Sequence, residues 1–133
     1  MTIQSSSINV DGTVATTGGT ATSLKKLGSS LERFNSYLDD GSEFLTRTEI
    51  DFTIKEPKVS VGAPNGYTQQ RSNVKILVPL VLDNGNLTVN TLTISLAVDH
   101  EMTDAEIESM LVLGAQILHD SDYSDFWKNQ ALD

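Results

Sequence analysis

At 133 residues the chain has the length of one domain, with enough bulk to bury roughly 65–70% of its unfolded surface. Nine basic residues against eighteen acidic ones give a net charge of −9, which opposes indiscriminate binding to nucleic acid, and the absence of cysteine removes disulfides, thiolate nucleophiles and thiolate metal sites. No apolar run reaches the about 18 residues that a membrane-crossing helix needs, and MTIQSSSINV has neither the basic start nor the apolar core of a secretory signal.

Residues 1–23 are rich in Ser, Thr and Gly, with turn pairs at Asp11-Gly12 and Gly18-Gly19 and alternating Ile8, Val10 and Val14. They predict a short N-terminal hairpin. Over residues 24–45, Leu24, Leu27, Leu31, Phe34 and Leu38 recur at helical spacing, while Gly28 and Ser29-Ser30 count against a helix. Helix and strand stand equal there, up to a turn at Asp40-Gly41. From Arg47 to Lys55 the period becomes two: Ile50, Phe52 and Ile54 share one face, and Arg47, Glu49, Asp51, Thr53 and Lys55 the other. Pro57 marks a strand end or edge. After a turn at Gly62–Gly66, a second alternating run sets Val74, Ile76, Val78 and Leu80 against Arg71, Asn73, Lys75 and Leu77. Asp83-Asn84-Gly85-Asn86 predicts a hairpin, with Asn-Gly suited to a type I′ turn. A third run turns Leu92, Ile94, Leu96 and Val98 inward and Thr91, Thr93 and Ser95 outward, completing a half-buried antiparallel meander.

The period changes again at Thr103. Thr103-Asp104-Ala105-Glu106 has capping-box spacing, and Ile107, Met110, Leu111, Gly114, Ile117 and Leu118 form one helical stripe. Asp120–Asp122 breaks that helix, and a second, short one from about Ser124 presents Phe126, Trp127 and Leu132. Strands first and helices last predict an α+β class with helices on one sheet face.

Enzymatic chemistry finds little support. His100 and His119 lie 19 positions apart without a partner at metal-ligand spacing. Asp120–Asp125 echoes the start of a calcium loop but lacks its glycine and its final Glu, so helix capping explains it better. Glu49 and Asp51 share a strand face with no nucleophile beside them. No catalytic residue, metal or cofactor is therefore assigned. The outward sheet face is more informative. It collects Arg47, Lys55, Arg71 and Lys75 among Thr53, Asn73, Thr91, Thr93 and Ser95, a mixture suited to phosphate and base contacts. An ordinary solvated face, with Glu49 and Asp51 diluting the positive charge, is the plain alternative.

Several local sequences, in this order, resemble the coat proteins of single-stranded RNA bacteriophages, the levivirus group. They are Lys55-Glu56-Pro57-Lys58-Val59, Ala63-Pro64-Asn65-Gly66-Tyr67-Thr68, Arg71 with Val74 to Val81, Val89-Asn90-Thr91-Leu92-Thr93-Ile94, and Thr103-Asp104-Ala105-Glu106. The likeness covers about residues 44–130, and the N-terminal third by position only. It implies one domain over 1–133, divided into an N-terminal β-hairpin (1–22), a five-stranded antiparallel sheet (23–100) and two C-terminal helices (103–131). Residues 31–38 would then be a strand. It further implies a non-enzymatic protein of the virion capsid, assembled in the bacterial host cytoplasm, with no membrane and no small-molecule substrate as partner.

Its partners would be a second copy of itself, in an interlocked homodimer that builds an icosahedral shell, and single-stranded phage genomic RNA. Carried over by position, the RNA-binding residues would be Thr53, Lys55, Asn73, Lys75 and Thr91, with Arg71 on the same face, and a bound RNA hairpin would repress replicase translation. The dimer interface would take Ile107, Met110, Leu111, Phe126 and Trp127. The chain departs from the family in having Val89 near the place of a base-stacking tyrosine, and only Asp83–Asn86 where family members carry a long loop. A small soluble β-sheet module that binds a protein partner is the alternative reading.

Overall fold

A computed structural model describes residues 7–8, 19 and 21–132. The hairpin expected over 1–22 lies, a few positions apart, outside the described residues. The chain divides into two compact units. One is Gly19–His100, and the other includes Glu101–Asp133.

The first unit is a five-stranded antiparallel sheet in simple chain order. Its strands are β1 (Leu24–Ser29), β2 (Arg33–Leu38), β3 (Glu49–Lys55), β4 (Gln70–Val81) and β5 (Leu87–Val98). The stretch over 24–38 is thus two strands joined by a tight turn, with β2 falling where the resemblance implied a strand over 31–38, and its helical spacing has a local cause. Leu24 sits in β1, Leu27 falls where the β1–β2 register slips between Lys26 and Gly28, and Phe34 and Leu38 belong to β2. Leu31 sits at the hairpin tip, 98% exposed. A bulge and a two-residue turn have stretched a period of two into an apparent 3.5.

Pairing carries the alternation across the sheet. Phe34 lies opposite Phe52, Phe52 opposite Val74, and Val74 opposite Ile94, so one face is apolar from β2 to β5. Polar residues break that face at Ser72, Thr88 and Asn90, and in β2 at Ser36. Ser36 is fully buried, and its hydroxyl donates to the Ile50 carbonyl at 2.7 Å, which satisfies it. Pro57 falls just after β3 ends. Pro79 lies within β4, but beyond Leu77, where the pairing with β3 stops and a missing N–H costs least.

The β4–β5 connection tightens as expected at Asn84-Gly85, by a different turn. Among the described non-glycine residues only Gln130 has positive φ, whereas a type I′ turn needs positive φ at both central residues. Gly85 alone takes the left-handed conformation, at φ 85°. Its N–H donates to Leu82, and the Leu82 N–H donates to Asn86 across the loop at 2.7 Å.

In the second unit α1 runs Asp104–His119, starting in the capping box the sequence announced: Thr103 accepts from the Glu106 N–H, and Glu106 accepts from the Thr103 N–H and hydroxyl. The hydroxyl bond, then the backbone bond, hold the Glu106 carboxyl below its ordinary range. Asp120 ends α1 and caps a 3-10 turn (Ser121–Tyr123) by accepting from the Asp122 N–H, so the acidic run is used for capping. Helix α2 (Ser124–Asn129) closes with Gln130 in the left-handed conformation. The Trp127 indole donates to the Ile117 carbonyl at 2.8 Å and ties α2 to the end of α1.

Candidate functional site

The register resolves the polar sheet face into four cross-strand rows. Lys55 and Arg71 lie opposite each other, followed by Ala97. The next row is Arg33, Thr53, Asn73 and Ser95, and the one after it Asn35, Asp51, Lys75 and Thr93. The last is Tyr37, Glu49, Leu77 and Thr91. All six residues expected to contact RNA fall on this face. Thr53, Asn73 and Lys75 sit at its centre, Lys55 and Arg71 at one end, and Thr91 at the other.

The two central rows line an open basin of about 410 Å³, formed by Arg33, Asn35, Asp51, Thr53, Asn73, Lys75, Thr93 and Ser95. Among the described residues, none of these eight side chains has a side-chain hydrogen bond or an ion pair. Their donors and acceptors are thus free for a ligand. Arg33 and Asn35 are the members that sequence reasoning missed, because periodicity left residues 24–38 between helix and strand and gave them no face. The signal was Arg33, Asn35 and Tyr37 alternating with Phe34, Ser36 and Leu38, obscured by the polar Ser36.

Charge is graded along the face. Lys55 directly opposes Arg71, a like-charge pairing that disfavours the folded sheet unless an anion lies between them. Arg33 adds a third cation in the next row, and Asp51 stands beside Lys75 in the one after. Further along, Glu49 is engaged by Arg47, whose Nε lies 3.6 Å from Glu49 Oε1. That distance makes an ion pair but is too long for a hydrogen bond, and the buried Nε has no hydrogen-bond partner. The Arg47 guanidinium instead lies over the Tyr37 ring, 4.3 Å from its centroid.

His100 lies outside this face. Its Nδ1 is 3.8 Å from Asp99 Oδ1, its ring meets Tyr67 edge-on at 5.0 Å, and Asn65 donates to the Asp99 carboxylate. The group pins the β3–β4 loop to the end of β5. His119 occupies the last turn of α1, as a helix-capping cation would.

The residues expected at a dimer interface lie in α1 and α2. No residue of α1 is buried, and Met110, Leu111 and Trp127 are 43%, 49% and 46% exposed. Ile107 and Phe126 are half-buried, the latter edge-on to Trp127 at 4.8 Å. Among the described residues only Val98 and Tyr123 are buried hydrophobics. The apolar sheet face is likewise open at Ile54, Val78, Leu80, Leu92 and Ile94.

A five-stranded antiparallel sheet followed by two C-terminal helices is the fold of a phage coat protein. The structure superposes on the subunit of the virus-like particle of bacteriophage GQ-907 with a TM-score of 0.87 and 28% identity, covering 99% of this chain and 100% of that one. The virus-like particle of bacteriophage AVE019 matches with a TM-score of 0.68 over 90% of this chain and 93% of that one, and that of bacteriophage ESE058 with 0.59 over 87% and 98%. At 11% and 10% identity these two share the fold alone. No protein-family model and no curated protein matches the chain. The likenesses support a capsid protein.

Proposed function

We propose that the chain is a single coat-protein domain that pairs with a second copy and builds a closed icosahedral shell around single-stranded phage RNA, as a structural protein of the virion with no enzymatic step. The observation that carries this reading is the apolar surface left in water on both units. Met110, Leu111 and Trp127 are each nearly half exposed. Covering what remains is worth about 1 kcal/mol per side chain, so these three with the open sheet residues reach the size of a whole domain's net stability. A surface of that kind belongs to an interface.

The occupant is a second copy: α1 and α2 of one subunit lie over the apolar sheet face of its partner, and Ile107, Met110, Leu111, Phe126 and Trp127 are covered there. Among the described strands β5 ends the order, with an edge of twelve residues of the kind that pairs with another strand. The polar face, with Thr53, Lys55, Arg71, Asn73, Lys75 and Thr91, takes the RNA and, on the resemblance to RNA-phage coat proteins, a hairpin whose capture represses replicase translation. Electron microscopy and light scattering of the protein expressed alone test the assembly. Closed particles and dimers are expected; a folded monomer at every concentration, with Trp127 open to quenchers, overturns it in favour of a small binding module.

A further inference from the structure

We propose that the Tyr37 ring, with the Arg47 guanidinium laid over it, is a stacking platform for one unpaired base of a bound single strand. The inference rests on the RNA-binding reading of the polar face and adds a site to it. Within the described strands, Phe34 and Phe52 belong to the apolar face, so Tyr37 is the one aromatic ring the polar face carries. It stands two residues along β2 from Asn35, roughly 7 Å by the strand rise, so it borders the basin directly.

The arrangement of Arg47 is costly as a purely internal contact. Its side chain is 20% exposed, its Nε is buried without a hydrogen-bond partner, and Glu49 stands off at 3.6 Å. A guanidinium held with its Nε buried and unbonded stabilises the fold little. What it does accomplish is to fix the ring and to offer a second planar cation on it. Unpaired bases stack on tyrosine rings and on guanidinium planes alike, and a surface fixed in advance loses little entropy when a base arrives. Stacking tolerates any base. The platform therefore adds affinity and strand position, while the hydrogen-bonding groups of the basin beside it supply whatever discrimination there is.

The test assembles the full-length protein in the presence of a short single-stranded oligoribonucleotide containing 2-aminopurine, whose fluorescence falls on stacking. Wild-type protein is expected to bind it and quench it. Tyr37→Leu should weaken binding about tenfold and remove the quench, and Tyr37→Phe should keep both. Arg47→Lys keeps the charge but loses the plane, so the salt dependence should hold while the quench declines. Should Tyr37→Leu fail to assemble, photocrosslinking of a halogenated oligoribonucleotide to the wild-type protein decides, with the adduct expected on Tyr37. Binding by wild type that Tyr37→Leu leaves within twofold, or an adduct on other strands only, overturns the platform and spares RNA binding. No binding by wild type at all overturns both.

Discussion

Ser36 shows how much one side chain can hold in a sheet with so little core of its own. It sits fully buried, opposite Lys26 on one side and Ile50 on the other, its hydroxyl spent on the Ile50 carbonyl. Ser36→Ala removes that bond without a steric clash and should cost about 1 kcal/mol in a denaturant titration. The capping box is the other point where one residue decides an element. Thr103→Ala takes away the N-cap acceptor and should destabilise the helical unit by about 1 kcal/mol, read from helix ellipticity on heating.

Its pH signature follows from the partner. The Glu106 carboxyl is held below its ordinary value of 4.5, first by the Thr103 hydroxyl and then by the Thr103 N–H. A depressed carboxyl contributes stability that is fully present above the unfolded value and fades as pH falls through the folded one. Helix α1 should therefore loosen below about pH 4.5, and Glu106→Gln should flatten that loss. An ellipticity profile between pH 6 and pH 2 checks it. Both cap residues were legible from four letters of sequence, because capping is local chemistry.

At the scale of elements, the alternating strands β3, β4 and β5 and the helix after Thr103 could be read directly, since each repeats its period without interruption. β1 and β2 could not. Their hydrophobic residues straddle a bulge and a hairpin tip, and neither device leaves a mark in composition. The consequence reached the candidate site, where Arg33, Asn35 and Tyr37 went unassigned. The β4–β5 turn was placed correctly and typed wrongly, because Asn84 keeps negative φ and leaves the left-handed position to Gly85 alone. No atom lies within 4 Å of a Cβ built on Gly85, so Gly85→Ala meets backbone strain and nothing else. It should cost about 1–2 kcal/mol in equilibrium unfolding, with the native particle otherwise unchanged.

Only the whole molecule raises the question of partners. A chain of this length that leaves Leu111 and Trp127 half exposed, and an apolar sheet face open, asks for a second surface. Leu111→Asp places a charge where we propose the partner's sheet to lie. It should leave helix content intact while light scattering shows particles replaced by small species. Retention of full-size particles would argue that this stretch of α1 faces water. The net charge of −9 bears on the cargo. With few cations on the polar face that we propose takes the RNA, retention should be weak and fall with salt. Particles from a heterologous host that keep their RNA unchanged between 50 mM and 500 mM salt would contradict it.

By itself, the sequence determined the order of elements from β3 onward, the two faces of β3 to β5, the capped start of α1 and the absence of thiol chemistry. Each of these is set by neighbours two to four residues apart. Only the tertiary structure decided where β1 and β2 begin and end, that Arg33 and Asn35 join the basin, and that Arg47 lies over Tyr37. Those facts depend on register between strands, and hydrogen-bonded pairing brings together residues that stand far apart along the chain.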